Sequence, residues 1–311
     1  MEKTSIHPEP AMPSEEVHFS QEQQLLLEIA ADRWEHMPLS SNFLFTRIFG
    51  TRKSLCLELL RRIFPALQIG DIKYAEAEKT IQTVHDARGI RLDVLAGDGS
   101  HLFDLEMQTT EKRCLPKRAR YYSSTLDSEL SEPGMQFGDL KPTYVIFICT
   151  FPVFEGSRHL YTFRRICIED RRLELNDETS IVFLSTGGTG DDIREPLQNF
   201  LDYLNDASTA RSTDDVFIRD LDDAVEVARH NAEWRKQYMF YDLDRNEECA
   251  AAREEGRAEG HAEGRVEGRN EFLRQLIARG RDSDEELAAI AGLPVDEIRR
   301  MREEAAASKS A

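Results

Sequence analysis

The chain has 311 residues, 40% of them hydrophobic and 32% charged, with a formal net charge of −18 at pH 7. That length allows one large domain or a main domain with appendages, and the acidity excludes indiscriminate nucleic-acid binding over the whole surface. No apolar run reaches the length of a membrane span, so no membrane partner is expected.

Residues 1–20 are polar, acidic and proline-containing. They match neither a signal nor a transit peptide and predict a disordered tail. The five cysteines are scattered and form no Cys-x-x-Cys pair, which favours reduced thiols and a cytoplasmic location. Cys149 and Cys167 lie in apolar runs and are expected to pack. Residues 21–37 place Leu25, Leu26, Ile29 and Ala30 on one helical stripe. "SSNFLFTRIFGTRKSLCLELLRRIFP" predicts a helical pair with a turn at Gly50, ending before Pro65. Short alternating segments follow at 71–84, 90–97 and 101–109, then a helix through "KRARYYSSTLDSEL". The apolar run at 143–154 predicts a buried strand, and weaker strands follow at 160–169 and 180–186. Strands bracketing a helix, one of them apolar on both faces, indicate an α/β core with a central sheet flanked by helices. "TGGTGDD" lacks the lysine of a phosphate loop and predicts a connection with Asp191 or Asp192 as helix cap. Beyond it a helix at 191–204 and a long one from about Asp214 to Tyr241 are expected.

The chemistry concentrates in "RLDVLAGDGSHLFDLEMQ" (Arg91–Gln108). Residues two apart on a strand share a face, so Asp104, Glu106 and Gln108 oppose Phe103, Leu105 and Met107. A two-residue turn at Asp98-Gly99 would set Asp93 opposite Asp104 and diagonal to Glu106. Two explanations stand for such a carboxylate face. One is an acidic solvent-facing sheet; the other is a Mg²⁺ site, since a hard cation relieves the repulsion. A basic run follows at Lys112, Arg113, Lys117, Arg118 and Arg120, either a solvated helix face or the cationic side of that site. Tyr121 on the same helix is expected to be half-buried.

The order of Asp93, Glu106-x-Gln108, "RARYYSS", the upstream "MPLSSNFLFTRIFG" and the downstream "FGDLKPTYVIFICTFPVFE" and "LYTFRRICIED" resembles the PD-(D/E)XK nucleases, and most closely their recombination-promoting nuclease and transposase group. The resemblance spans about Met37 to Asp206. It implies a restriction-endonuclease-like fold and hydrolysis of DNA phosphodiesters with Mg²⁺ or Mn²⁺. Asp93 and Glu106 would hold the metal, while Gln108, in the place of the superfamily lysine, would position water or phosphate. Lys117, Arg118 and Arg120 would contact phosphate. Asn42 and Thr46 stand where related sequences often carry an aspartate and a lysine, and Glu58 is a candidate for the remaining acid. The rival reading is a non-catalytic binding or assembly module on the same fold.

Residues 253–270 repeat with glycine at every fourth position, Gly256 to Gly268, flanked by acidic and basic stripes. This predicts either a marginal helical linker or a segment for homo-oligomer formation. Residues 271–311 predict a helical hairpin, with Gly292 and Pro294 at its turn, or a helix-turn-helix presenting Arg299, Arg300 and Arg302. The expected organisation is thus a tail (1–20), the α/β core (21–206), a helical region (207–252), the repeat (253–270) and the hairpin (271–311).

Overall fold

The computed structural model describes residues 19–81, 90–111, 114–129 and 134–308; the expected tail up to residue 18, with Lys112 and Arg113, lies outside them. The chain divides into two units at Phe240/Tyr241.

Among the described residues, the first unit is built on six strands: β1 (Tyr74–Ile81), β2 (Ile90–Gly97), β3 (Leu102–Gln108), β4 (Thr143–Cys149), β5 (Leu160–Phe163) and β6 (Thr179–Ser185). They form one mixed sheet in the order β1-β2-β3-β4-β6-β5. The β1–β2–β3 meander is antiparallel, β3, β4 and β6 run parallel, and β5 closes an edge antiparallel to β6. The helices of this unit are α1 (Gln21–Glu35), α2 (Asn42–Thr51), α3 (Lys53–Ile63), α4 (Leu115–Glu129), α5 (Glu195–Asn205), α6 (Val216–Arg229) and the start of α7 (Ala232–Arg279). Helix α2 packs on β1, β2 and β3, whereas α4 packs on β4 and β6.

Register fixes which side of β3 each residue takes. Asp104, Glu106 and Gln108 pair with Val145, Phe147 and Cys149. Those three belong to the apolar cluster with Leu115, Ala119 and Tyr122 of α4. Laterally paired residues point to the same side of a sheet. The acids therefore face α4, and every residue of β3 is buried. An exposed acidic sheet face is not what the strand presents.

Several local expectations are corrected. Gly50 is no turn: it sits in the last turn of α2, where an added Cβ would come within 2.6 Å of the Ala77 Cβ on β1. The helices part at Arg52 instead, with φ −109° and ψ 83°. Strand β4 stops at Cys149, before Pro152, whose ring nitrogen donates no ladder bond. Cys149 is buried as expected, but Cys167 is only half-buried beyond the end of β5. Asp192 does not cap a helix; its carboxylate accepts from the N–H groups of His159 (3.0 Å) and Leu160 (3.2 Å), pinning the start of β5. The expected helix from 214 to 241 breaks at His230-Asn231, because the Asn231 Oδ1 accepts from the Trp234 N–H at 3.0 Å and starts a new helix.

In the second unit α7 continues through the glycine repeat as regular helix, and residues 247–268 are exposed throughout. Helices α8 (Asp284–Ala291) and α9 (Val295–Ser308) follow, joined through Gly292, whose φ of +65° is left-handed and suits glycine. Leu273, Ile277, Leu287, Ala288 and Ile298 form their core. Arg302 is tied to Asp284 at 2.8 Å, and Arg299 lies among Asp284, Glu285 and Asp296. Two of the three arginines of α9 are thus turned to acids of their own unit.

Candidate functional site

The β2–β3 ladder runs from Gly97↔Leu102 to Val94↔Leu105 and stops there. The register differs by two residues from that of a two-residue turn: Asp104 pairs with Leu95, not with Asp93. The cause is Asp98. Its Oδ1 accepts from the N–H groups of Ser100 (2.8 Å) and His101 (2.7 Å), while Oδ2 accepts from Gly70 (3.0 Å), so the turn widens to residues 98–101. Burial works against the Asp98 charge, but the His101 ring and these N–H groups override it and hold the carboxyl down to about 2.

Past Val94 the strands separate and side chains replace the backbone ladder. The Asp93 N–H donates to Glu106 Oε1 at 2.9 Å, and the Met107 N–H donates to Asp93 Oδ2 at 3.0 Å. The two candidate acids thus stitch the fork of the sheet. Asn42, at the start of α2, adds a third bond, its Nδ2 donating to Asp93 Oδ2 at 2.6 Å. Thr46, fully buried, donates to the Asn42 carbonyl and steadies that turn. The pair that departs from the aspartate–lysine pattern therefore borders the site, a role the sequence did not suggest. Glu58 does not: it pairs with Arg62 at 3.1 Å on α3, and it is not among the charges acting on Asp93, Asp104 or Glu106.

Across the fork stands Arg118 of α4. Its Nη2 donates to Glu106 Oε2 at 2.5 Å, its Nη1 to Gln108 Oε1 at 3.0 Å, and its Nε to the Tyr122 hydroxyl at 2.8 Å. The Gln108 amide nitrogen donates to the Met107 carbonyl at 2.8 Å, so the glutamine is fastened at both ends. Lys117 and Arg120, on the same helix, are exposed and make none of these bonds. Tyr121 is 39% exposed, more open than expected; Tyr122 is the buried tyrosine of the pair.

The electrostatics follow from burial. Asp104 and Glu106 are both fully buried. Burial and then the neighbouring Asp93 charge push the Asp104 carboxyl well up; burial and then Asp104 and Asp93 do the same to Glu106. Asp93 is raised by burial, with Asn42, the Met107 N–H and Arg118 pulling the other way. Burial opposes the Arg118 charge too, but Glu106 outweighs it and keeps the guanidinium firmly protonated.

Would a divalent cation fit? The donors are all oxygens, the hard type that Mg²⁺ or Mn²⁺ takes, and neither buried oxygen of Asp104 receives an N–H, its carboxyl interacting with the neighbouring Glu106 carboxyl. Asp93 Oδ1 stands outside the bonds that hold Oδ2. Glu106 has both oxygens engaged, each with a further lone pair. Among the described residues, no group of three or more His, Cys, Asp or Glu side chains is arranged as a metal cage. The fit is by donor chemistry, with two carboxylates and water, rather than by a closed shell.

Comparison with known proteins adds one positive finding. The model of the PD-(D/E)XK nuclease family transposase matches residues 39–239. No curated protein and no solved structure matches the chain.

Proposed function

The chain belongs to the PD-(D/E)XK nuclease family and carries its restriction-endonuclease-like fold, and on that premise we propose that it is a Mg²⁺- or Mn²⁺-dependent DNA endonuclease of the recombination-promoting, transposase-like kind. Asp93 and Glu106 hold the metal in this reading. Bound there, the ion would activate a water and stabilise charge on the attacked phosphate. The observation that carries the proposal is the buried carboxylate group at the fork of β2 and β3, with Asp104 receiving no N–H beside Asp93 and Glu106. A protein has little reason to bury three acids with one arginine unless something else compensates them.

The chain's own residues divide the remaining work. Arg118 supplies a fixed positive charge where the superfamily carries its lysine, and it does so through Gln108, which orients the guanidinium from below. Asn42 holds Asp93 in one rotamer. Lys117 and Arg120, exposed along α4, meet the phosphate backbone. A cytoplasmic location and homo-oligomer formation through the C-terminal helices belong to the same proposal; among the described residues no helix is long and apolar enough to cross a membrane.

The test is cleavage of supercoiled plasmid by purified protein with Mg²⁺ or Mn²⁺. Wild type should nick or cut, and Asp93→Ala should not. Equal cleavage by both would mark a contaminant and sink the reading. One observation favours the rival, a nuclease fold that binds without cutting: both Glu106 oxygens are already engaged. That reading expects no saturable Mn²⁺ binding dependent on Glu106.

A further inference from the structure

Beside the carboxylate fork lies an open cavity of about 480 Å³ whose walls the proposed chemistry does not use. Ile90 and Arg91 of β2 form one side; Lys117, Arg118 and Tyr121 of α4 form the other, with Cys114 also lining it. Arg118 is common to the cavity and to the site, since it lines the cavity while its guanidinium grips Glu106 and Gln108. In a chain of net charge −18, three cations line this hollow, Arg91 paired with Glu78, Arg118 paired with Glu106, and Lys117 exposed, and none of its described lining residues is an acid. Such a local reversal of sign selects an anion. Yet the partly exposed Tyr121 offers aromatic surface that a bare phosphate would not need. The combination of a stacking ring with cations at its margins is the chemistry that holds an unpaired nucleotide. The volume is in the range of small-ligand sites, which suits one nucleotide and gives a stacked base pair nothing to face.

We propose that this cavity receives a single unpaired nucleotide of the DNA strand, its base against Tyr121 and its phosphate towards Arg118. The inference rests on the nucleic-acid reading above and sharpens it. The substrate is a strand with a base outside the duplex stack, in a single-stranded segment, a frayed end or a flipped position. Extruding a paired base costs a few kcal/mol, so an already unpaired base binds preferentially.

Binding to full-length protein in EDTA, by fluorescence anisotropy, separates this proposal from the cleavage reading. A labelled short single strand should bind more tightly than the duplex of the same sequence. Tyr121→Ala should weaken the single strand about tenfold, in keeping with the loss of one base–aromatic stack, and leave the duplex unchanged. Tyr121→Phe, which keeps the ring, should restore binding. As a second readout, saturating single strand should slow maleimide labelling of Cys114 while leaving Cys249, exposed on α7, unaffected. Loss of stacking-dependent binding in Tyr121→Ala upholds the cavity even if no variant cuts DNA. Equal affinity of wild type and Tyr121→Ala, unprotected Cys114, or absence of DNA binding overturns it, even if the protein cuts duplex DNA.

Discussion

The backbone N–H of Asp93 donates to the Glu106 carboxylate at 2.9 Å, across the point where β2 and β3 cease to pair. One acid thus stands in for a strand, and the site and the sheet share a component. Chemistry and stability at Glu106 are separable by choice of substitution. Glu106→Gln keeps an oxygen for the Asp93 N–H, whereas Glu106→Ala leaves that N–H buried without a partner and takes from Arg118 its carboxylate, leaving it Gln108 and the Tyr122 hydroxyl. Alanine is expected to be less stable than glutamine by about 2 kcal/mol in urea denaturation. Both should lose metal-dependent cleavage.

Asp104 offers the opposite trade. Its carboxyl is buried with no N–H donor on either oxygen, and burial beside Asp93 pushes its titration well up, so folding at neutral pH must either neutralise the group or bury its charge; asparagine, neutral throughout, avoids that cost in the absence of a cation. Asp104→Asn should raise the Tm in EDTA, by about 2–4 °C per kcal/mol recovered. It should also reduce the further rise that Mn²⁺ gives wild type. A lower Tm for Asp104→Asn in EDTA would show that Asp104 has a partner in solution.

Asn42 donates to Asp93 from the first turn of α2, where an aspartate would repel it. Asn42→Asp should therefore lower metal-free stability, by about 1–2 kcal/mol for a like-charge pair at a buried site. Mn²⁺ should recover that loss, because the added carboxylate brings another oxygen ligand. Isothermal titration with Mn²⁺ should register tighter binding than in wild type. Unchanged affinity would place the metal away from Asn42.

A fourth outcome concerns pH. Arg62 grips Asp215 through two bonds of 2.6 and 2.7 Å, and chiefly this pairing holds the Asp215 carboxyl down to about 2. The unfolded group titrates at about 3.9. A depressed folded value contributes stability above the unfolded value, lost as pH falls through the folded one. Asp215→Asn, which keeps a side-chain cap for α6, should be less stable than wild type at pH 7. The gap should close between about pH 4 and pH 2. Thermal denaturation of both proteins across that range checks it.

The sheet and its polarity were largely legible. Phe103, Leu105 and Met107 alternate with Asp104, Glu106 and Gln108, and the apolar run of β4 reads as a central strand because both its faces are covered. Register was not, because Asp98 uses its carboxylate to bind N–H groups of the loop that follows, a choice no hydrophobic pattern encodes. Nor was the depth of the acids: in so acidic a chain, carboxylates on alternate positions look like solvent-facing ones until α4 covers them. Arg118 stood in the sequence as one of several cations. Only the helix phase, with Tyr122 one turn on, aims it at Glu106 while Lys117 and Arg120 turn outward. Asn42 read as a departure from a pattern, and its contact with Asp93 is a long-range one that local spacing cannot reveal.

The connection between the α/β core and the helices after it has a consequence for how this chain could be recombined or trimmed. Arg62 reaches the Pro196 carbonyl and Asp215, the indole N–H of Trp34 donates to the Arg229 carbonyl at 2.8 Å, and the Arg229 guanidinium returns two bonds to the Met37 carbonyl. A breakpoint at residue 206, where the sequence places the end of the α/β core, would sever all but the first of these. It would strand a nearly buried guanidinium and the indole N–H of a buried tryptophan in the remaining fragment. Tyr238 of α7 packs on Trp34 and Phe43 as well, so the smallest portable piece of this protein runs through Phe240, and a graft that stops earlier carries the carboxylate fork on a scaffold already coming undone.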